Sequence, residues 1–154
     1  MAIFYEDLTV GDVEEFGAYE VTEREIVEFA SKYDPQFFHL DAERAREETM
    51  YDGLIASGWH TTAMTMRMLV DHHFSEAMSL GAKGLDRLRW RRPVQPGDTL
   101  SVRSEVLEKE ADRPDRGTVR TKTETLRESA DGETEVALEM TSVVMYARRK
   151  ATEE

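Results

Sequence analysis

In the segment Tyr33 to Asp41, YDPQFFHLD, a carboxylate at Asp34 and an imidazole at His39 flank two adjacent aromatic rings, Phe37 and Phe38. Histidine titrates nearest to neutrality and can accept or release a proton, so His39 is suited to acid–base work. A carboxylate beside it can take a second hydrogen bond from the same water, raise that water's basicity and supply or receive the other proton, a role that Asp34 fits. The two rings would exclude bulk water and supply apolar wall, which strengthens electrostatic interactions inside. The same residues also allow a plainer arrangement, with Asp34 and His39 bracing the loop through a hydrogen bond and the rings buried against a helix. Residue types alone leave both open.

The flanking segments must position these groups. Glu14 to Thr22 alternates as an edge strand does. Thr22, with Glu25 three residues on, has the capping-box spacing, and Ile26, Val27, Phe29 and Ala30 give the following helix a narrow apolar face. Pro35 ends that helix, because the residue before a proline is pushed out of the helical region. Asp41 is expected to cap a short polar helix. From Gly58 a long helix is expected: Trp59, Thr62, Ala63, Met66, Leu69, Val70, His73 and Ala77 recur at steps of three and four. Met64, Met68 and Phe74 widen that face, so this helix is expected to be buried over most of its circumference. Gly81 to Gly84, GAKG, is expected to close this half of the chain.

Beyond it the sequence alternates in four long stretches, from Leu85, Asp98, Thr118 and Thr134, separated by QPGD, DRPDRG and ADGE, each with turn chemistry. Leu, Val and Met occupy one face and charged residues the other, the pattern of an antiparallel sheet with one face covered. The element order predicts a single α+β domain over residues 1–154 in which a curved antiparallel sheet wraps a long central helix, the hot-dog fold. Residues 1–10 and 149–154 are expected to be peripheral. Open sheet edges favour pairing with a second copy, so a homodimer is expected.

Three segments in order, YDPQFFHLD, ASGWHTTAM and RPVQPGDTL, resemble the MaoC-like dehydratases, which include the (R)-specific enoyl-CoA hydratases. The likeness extends from about Val10 through the last strand. It implies that Asp34 and His39 hold the water added to, or removed from, a 2-enoyl thioester, and that the backbone N–H of Gly58 binds the thioester oxygen. It further implies an acyl-CoA substrate, with no cofactor beyond the coenzyme A that the substrate carries. Two positions depart from the family pattern: Ser57 stands where many hydratases have histidine, and Met66 where some have serine. The first implies a differently lined acyl pocket.

The chemistry so implied agrees with the residues. A helix's first turn offers unpaired N–H groups and a favourable dipole to an enolate oxygen, and glycine there lets substrate approach closely. Ser57 is expected to cap this helix in preference to touching the acyl chain. With Phe37, Phe38 and Trp59 it completes the expected substrate-contacting set. His60 is expected to be a packed histidine, and His72 and His73, being adjacent, project apart and cannot chelate together, so no metal site is expected. The arginines of RLRWRRP are mostly a solvated strand face, with one or two able to meet coenzyme A phosphates. The rival readings are a hot-dog thioesterase, which aims its water at the carbonyl, and a non-catalytic acyl-thioester binding protein.

Composition narrows the partners. The 154 residues carry 32 acids against 20 bases, a formal net charge of -12, which repels nucleic-acid phosphates and anionic lipid alike. There is no cysteine, which excludes disulfides and thiolate chemistry. The amino terminus lacks the basic and apolar regions of a signal peptide, and Gly58 to Met78 carries Arg67, Asp71, His72 and His73, so a cytoplasmic protein without a membrane span is expected. The acid excess and the scarcity of lysine suggest adaptation to high salt, where screening removes self-repulsion. The melting temperature should then rise between low-salt and molar-salt buffer, and equal values would refute the adaptation.

Overall fold

The computed structural model describes residues 1–149. Its elements are β1 (Val13–Glu20), α1 (Glu23–Tyr33), α2 (Ala42–Glu48), α3 (Gly58–Leu69), β2 (Ser79–Trp90), β3 (Thr99–Arg113), β4 (Arg116–Glu128) and β5 (Thr134–Ala147). The five strands form one antiparallel sheet in the order β1-β3-β4-β5-β2, curved around α3 in the hot-dog arrangement. Ile26, Leu54, Met64, Met68, Leu100 and Leu138 are core residues between helices and sheet. A second cluster, Val106, Val119, Val144 and Tyr146, lies with Tyr5 and Leu8 at the far end.

Local signals account for the helix boundaries. Thr22 Oγ1 accepts the Glu25 N–H at 3.2 Å, while the Glu25 carboxylate accepts the Tyr19 hydroxyl instead of completing the box. Asp41 caps α2 through the Arg44 N–H at 3.0 Å. The long helix differs from the expectation in length and in facing. Its α-helical part stops at Leu69 and passes through a π-helical turn, Val70–Phe74, before a short turn into β2. The residues it buries are His60, Thr61, Met64, Thr65, Met68 and Leu69. Trp59 and Met66, assigned to the core by periodicity, are 58% and 47% exposed. Both sides of the helix are rich in apolar residues, so spacing alone does not identify the inward one.

GAKG does not close a turn. It lies inside β2, where Gly81 (φ 95°) and Gly84 (φ 153°) accompany register shifts against β5. Glycine inside a strand admits the bulges that bend an edge strand. The first ten residues are tied down: the Tyr5 ring lies against Gly117 and under Lys109, and Glu6 and Asp7 pair with Arg148 and Arg149. The expectation for Lys150 to Glu154 falls outside the described residues.

The QPGD turn shows why its acid is where it is. Asp98 Oδ2 accepts the Gln95 N–H at 2.9 Å and meets Arg127 Nε at 3.1 Å, with the Asp98 side chain 4% exposed. The Asp98 carbonyl accepts the Val21 N–H and the Gly97 N–H donates to Val21 O, so this turn also fixes the passage from β1 to α1. Burial raises the Asp98 pKa, against the Gln95 N–H and the Arg127 guanidinium, which act to lower it. Removing one member of a buried pair leaves the other charge uncompensated. Asp98→Ala should therefore cost about 3–5 kcal/mol in urea unfolding, and a loss below about 1 kcal/mol, the scale of an exposed pair, would show that this ion pair is not a structural anchor.

Candidate active site

Asp34 is the C-cap of α1, its N–H donating to Ala30 O at 2.9 Å, and the chain then leaves the helix through Pro35. A 3-10 turn, Phe37–His39, sets His39 back toward the same point. The result is a contact of 3.3 Å between His39 Nε2 and Asp34 Oδ2, with the side chains 6% and 18% exposed. His39 Nδ1 lies 2.8 Å from the Ile55 carbonyl. A carbonyl only accepts, so Nδ1 carries a proton, and Nε2 of the neutral ring presents a lone pair toward Asp34. Two acceptors facing one another this closely are matched to a shared proton or to a water that donates to both.

Ser57 holds the carboxylate. Its hydroxyl donates to Asp34 Oδ2 at 2.7 Å, and the Gln36 amide donates to Oδ1 at 2.6 Å. The expected capping bond from Ser57 is absent, because the carboxylate takes its hydroxyl, while its carbonyl accepts the His60 and Thr61 N–H groups at 2.9 and 3.0 Å. Burial works to raise the Asp34 pKa, but the Gln36 and Ser57 hydrogen bonds, joined by the charge and N–H of His39 when its ring is protonated, outweigh it and lower the value. Asp34 is thus held as a carboxylate.

Gly58 opens α3, and its N–H makes no hydrogen bond among the described residues. The reason for glycine there is more specific than open access. A Cβ at Gly58 would lie 2.5 Å from Trp90 Cδ2, so the indole of Trp90 packs on the glycine itself. Trp90 Nε1 donates to Thr62 Oγ1 at 3.1 Å, and Thr62 donates to Gly58 O at 3.0 Å, which fixes the ring across the first turn.

A cleft of ≈ 370 Å3 lies beside these groups, lined by Phe38, His39, Ala56, Gly58, Thr61 and Trp90 among others, with Arg91 and Arg92 along its length. Of the residues singled out from sequence, His39, Gly58 and Phe38 line this cleft. Asp34 and Ser57 are not among its lining residues and are joined to it through the contact of Asp34 with His39. Phe37 lies under the Arg44 guanidinium and edge-on to Phe38, and Trp59 is outside, edge-on to Trp90. His60 is packed, stacked on Phe29 at 4.8 Å, with Nδ1 buried and, among the described residues, unpartnered. Trp90 and Thr61 were not anticipated. Trp90 had one signal, as the sole aromatic residue in an arginine-rich strand. Arg91 and Arg92 are paired with Glu139 and Glu135. Among the described residues no group of three or more His, Asp or Glu is placed to hold a metal ion, and no helix is long and apolar enough to cross a membrane.

The family model for the MaoC like domain matches residues 9–129. This chain belongs to the MaoC-like family. A MaoC-like dehydratase from Rhodospirillum rubrum is similar along the whole chain, at 39% identity and TM-score 0.82, covering 97% of this chain and 100% of that one. The (R)-hydratase PhaJ1 of Pseudomonas aeruginosa, in its unliganded form, has 27% identity and TM-score 0.71 over 99% of this chain and 91% of its own. The uncharacterized protein YdeM of Bacillus subtilis (strain 168) is 30% identical over 112 residues, 73% of this chain and 79% of its own length.

In this MaoC-like chain the Ser57 hydroxyl is the point at which the acid's ionisation can be tested. The folded pKa of Asp34 lies below its unfolded value, so its contribution to stability is complete above the unfolded carboxylate range and is lost as pH falls through the folded value. Ser57→Ala removes one donor and should move the Asp34 titration to higher pH in a carboxyl 13C NMR experiment. An unmoved titration would show that Ser57 does not stabilise the charge.

Proposed function

We propose that this chain is a reversible hydratase/dehydratase acting on the double bond of 2-enoyl thioesters of coenzyme A. Membership of the MaoC-like family and the likeness to an (R)-hydratase support the reaction class. The observation that carries the proposal is the 3.3 Å approach of His39 Nε2 and Asp34 Oδ2, with His39 lining the adjacent cleft.

In the hydration direction a water donates one hydrogen bond to Nε2 and the other to the carboxylate. As its oxygen bonds to the β carbon, its proton passes to His39, and the pair of electrons displaced from the double bond moves onto the thioester oxygen as an enolate. The Gly58 N–H, unpaired and at a helix N-terminus, stabilises that charge; one such donor is worth about 3 kcal/mol in the transition state. Because Asp34 is held ionised, the proton delivered to the α carbon is the one on His39, and Asp34 stabilises the transient imidazolium. H and OH are added and the side chains return to their starting states. Dehydration reverses each step. The reaction needs only these groups, with coenzyme A arriving on the substrate.

The protein acts as a homodimer in this proposal. β2 is an outer strand of the sheet, paired among the described residues with β5 alone, and exposes Leu80, Leu85 and Trp90, the last against the outward Trp59 of α3. Such an edge is covered most simply by a second copy. Asp34→Asn and His39→Ala should each lower crotonyl-CoA hydration, followed by loss of enoyl absorbance, by about 100-fold or more. Both variants should sediment as the wild-type dimer and release no free thiol. Near-wild-type rates in both would remove the site assignment; thiol release by the wild type would transfer it to a thioesterase; a monomeric wild type would end the dimer proposal.

A further inference from the structure

α3 carries three threonines, Thr61, Thr62 and Thr65, and two of them bond as threonine commonly does inside a helix. The Thr62 hydroxyl donates to Gly58 O at 3.0 Å and the Thr65 hydroxyl to Thr61 O at 2.8 Å, each four residues back. Thr61 does not follow them. The carbonyl four residues before it, Ser57 O, accepts the His60 and Thr61 N–H groups instead, and the Thr61 hydroxyl makes no hydrogen bond among the described residues.

Thr61 is 3% exposed. Among the described residues the one fully enclosed side-chain nitrogen or oxygen without a partner is His60 Nδ1. The Thr61 hydroxyl, also unpaired, therefore belongs to the small part of the residue that is not sealed in, and Thr61 lines the cleft together with Gly58 and His39. A buried hydroxyl with no partner costs free energy that valine at the same place would avoid. Packing gives no reason for this hydroxyl; a ligand group in the cleft does.

Helix geometry sets where that group would lie. Residue 61 is three after Gly58, so the two share a face, and helical side chains lean toward the amino end. The Thr61 side chain thus covers the surface beside Gly58, whose N–H is likewise unpaired among the described residues. His39 Nε2 and Asp34 meet a water with acceptors. Thr61 adds a donor, which is what an oxygen gaining negative charge requires.

We infer, resting on the enoyl-thioester reading of the cleft, that the Thr61 hydroxyl is a second donor to the thioester oxygen and a catalytic residue beside the Gly58 N–H. As water bonds to the β carbon, the electron pair displaced onto that oxygen strengthens both hydrogen bonds. When the α carbon takes its proton the pair leaves the oxygen and both bonds relax. The hydroxyl keeps its own proton throughout. An interaction made chiefly in the transition state raises kcat and leaves KM nearly unchanged.

Thr61→Val keeps the side chain's shape and the backbone bonds of the helix, so its melting temperature should match that of the wild type. With crotonyl-CoA it should lower kcat about 100-fold and hold KM within about 2-fold, while Thr61→Ser, which keeps the hydroxyl, should stay within about 5-fold of the wild-type kcat. If the valine variant melts below the assay temperature, Thr61→Ala against Thr61→Ser gives the same comparison. Equal losses with and without the hydroxyl, a rise in KM alone, or wild-type kcat in the valine variant would overturn the inference. Butyryl-CoA labelled with 13C at its carbonyl reads the same contact without turnover. By isotope-edited infrared spectroscopy, its bound carbonyl band should move toward the free value in Thr61→Val. That movement in a protein that does not hydrate crotonyl-CoA would uphold the Thr61 contact and reject the hydratase. An unmoved band would overturn the contact whatever the rate, and failure to bind butyryl-CoA would reject both.

Discussion

The carboxylate of Asp34 is the joint on which the cleft depends, because it is shared by two helix ends and a base. Asp34 terminates α1, accepts the hydroxyl of Ser57 at the head of α3, and faces His39 Nε2. Ser57 in turn supplies the carbonyl that receives the His60 and Thr61 N–H groups in the first turn of α3, and the Gly58 N–H has no hydrogen-bond partner among the described residues. His39 and the start of α3 are therefore both placed relative to a single charged group. Hydrogen bonds to charge are worth about 1.5–3 kcal/mol each, enough to hold a mostly buried carboxylate ionised where burial alone would neutralise it.

The same economy of charge extends to the second histidine of α3. His60 is buried against Phe29, and burial lowers its pKa, opposed by Glu25 and reinforced by His39. It stays neutral, so it adds no competing positive charge beside His39. An unpartnered buried nitrogen costs about 1–3 kcal/mol, and His60 Nδ1 is such a nitrogen among the described residues. The ring's stacking on Phe29 is what it gains at that position.

How much of this was legible in the sequence depended on whether the signal was local. Thr22, Pro35 and Asp41 act on backbone within four residues, and the helix boundaries they imply are found. The four alternating strands were legible because a period of two survives wherever one face is buried. The convergence of Asp34, His39 and Gly58 could not be read from their own residue types, which allowed a braced loop as readily; the likeness of three ordered motifs supplied it. The facing of α3 was misread because Trp59 and Met66 are as apolar as the residues that do face the sheet. Ser57 was assigned to its nearest backbone, the usual preference, whereas its partner is Asp34, 23 residues away in the chain. GAKG was misread because glycines mark bulges as well as turns.

Trp90 was invisible for a related reason, and its position links the site to the sheet edge. It is a strand residue whose ring lies across a helix's first turn, a relation that exists only after β2 and α3 have packed. Its bond to Thr62 and its contact with Gly58 make the glycine a packing requirement as well as a route to the N–H. The indole is 44% exposed on an outer strand and meets Trp59, itself exposed, edge-on. A surface that covers the β2 edge would thus also touch the ring that rests on Gly58. Burial of that edge and the shape of the cleft are mechanically one problem, because among the described residues the strand that carries Trp90 pairs with β5 alone.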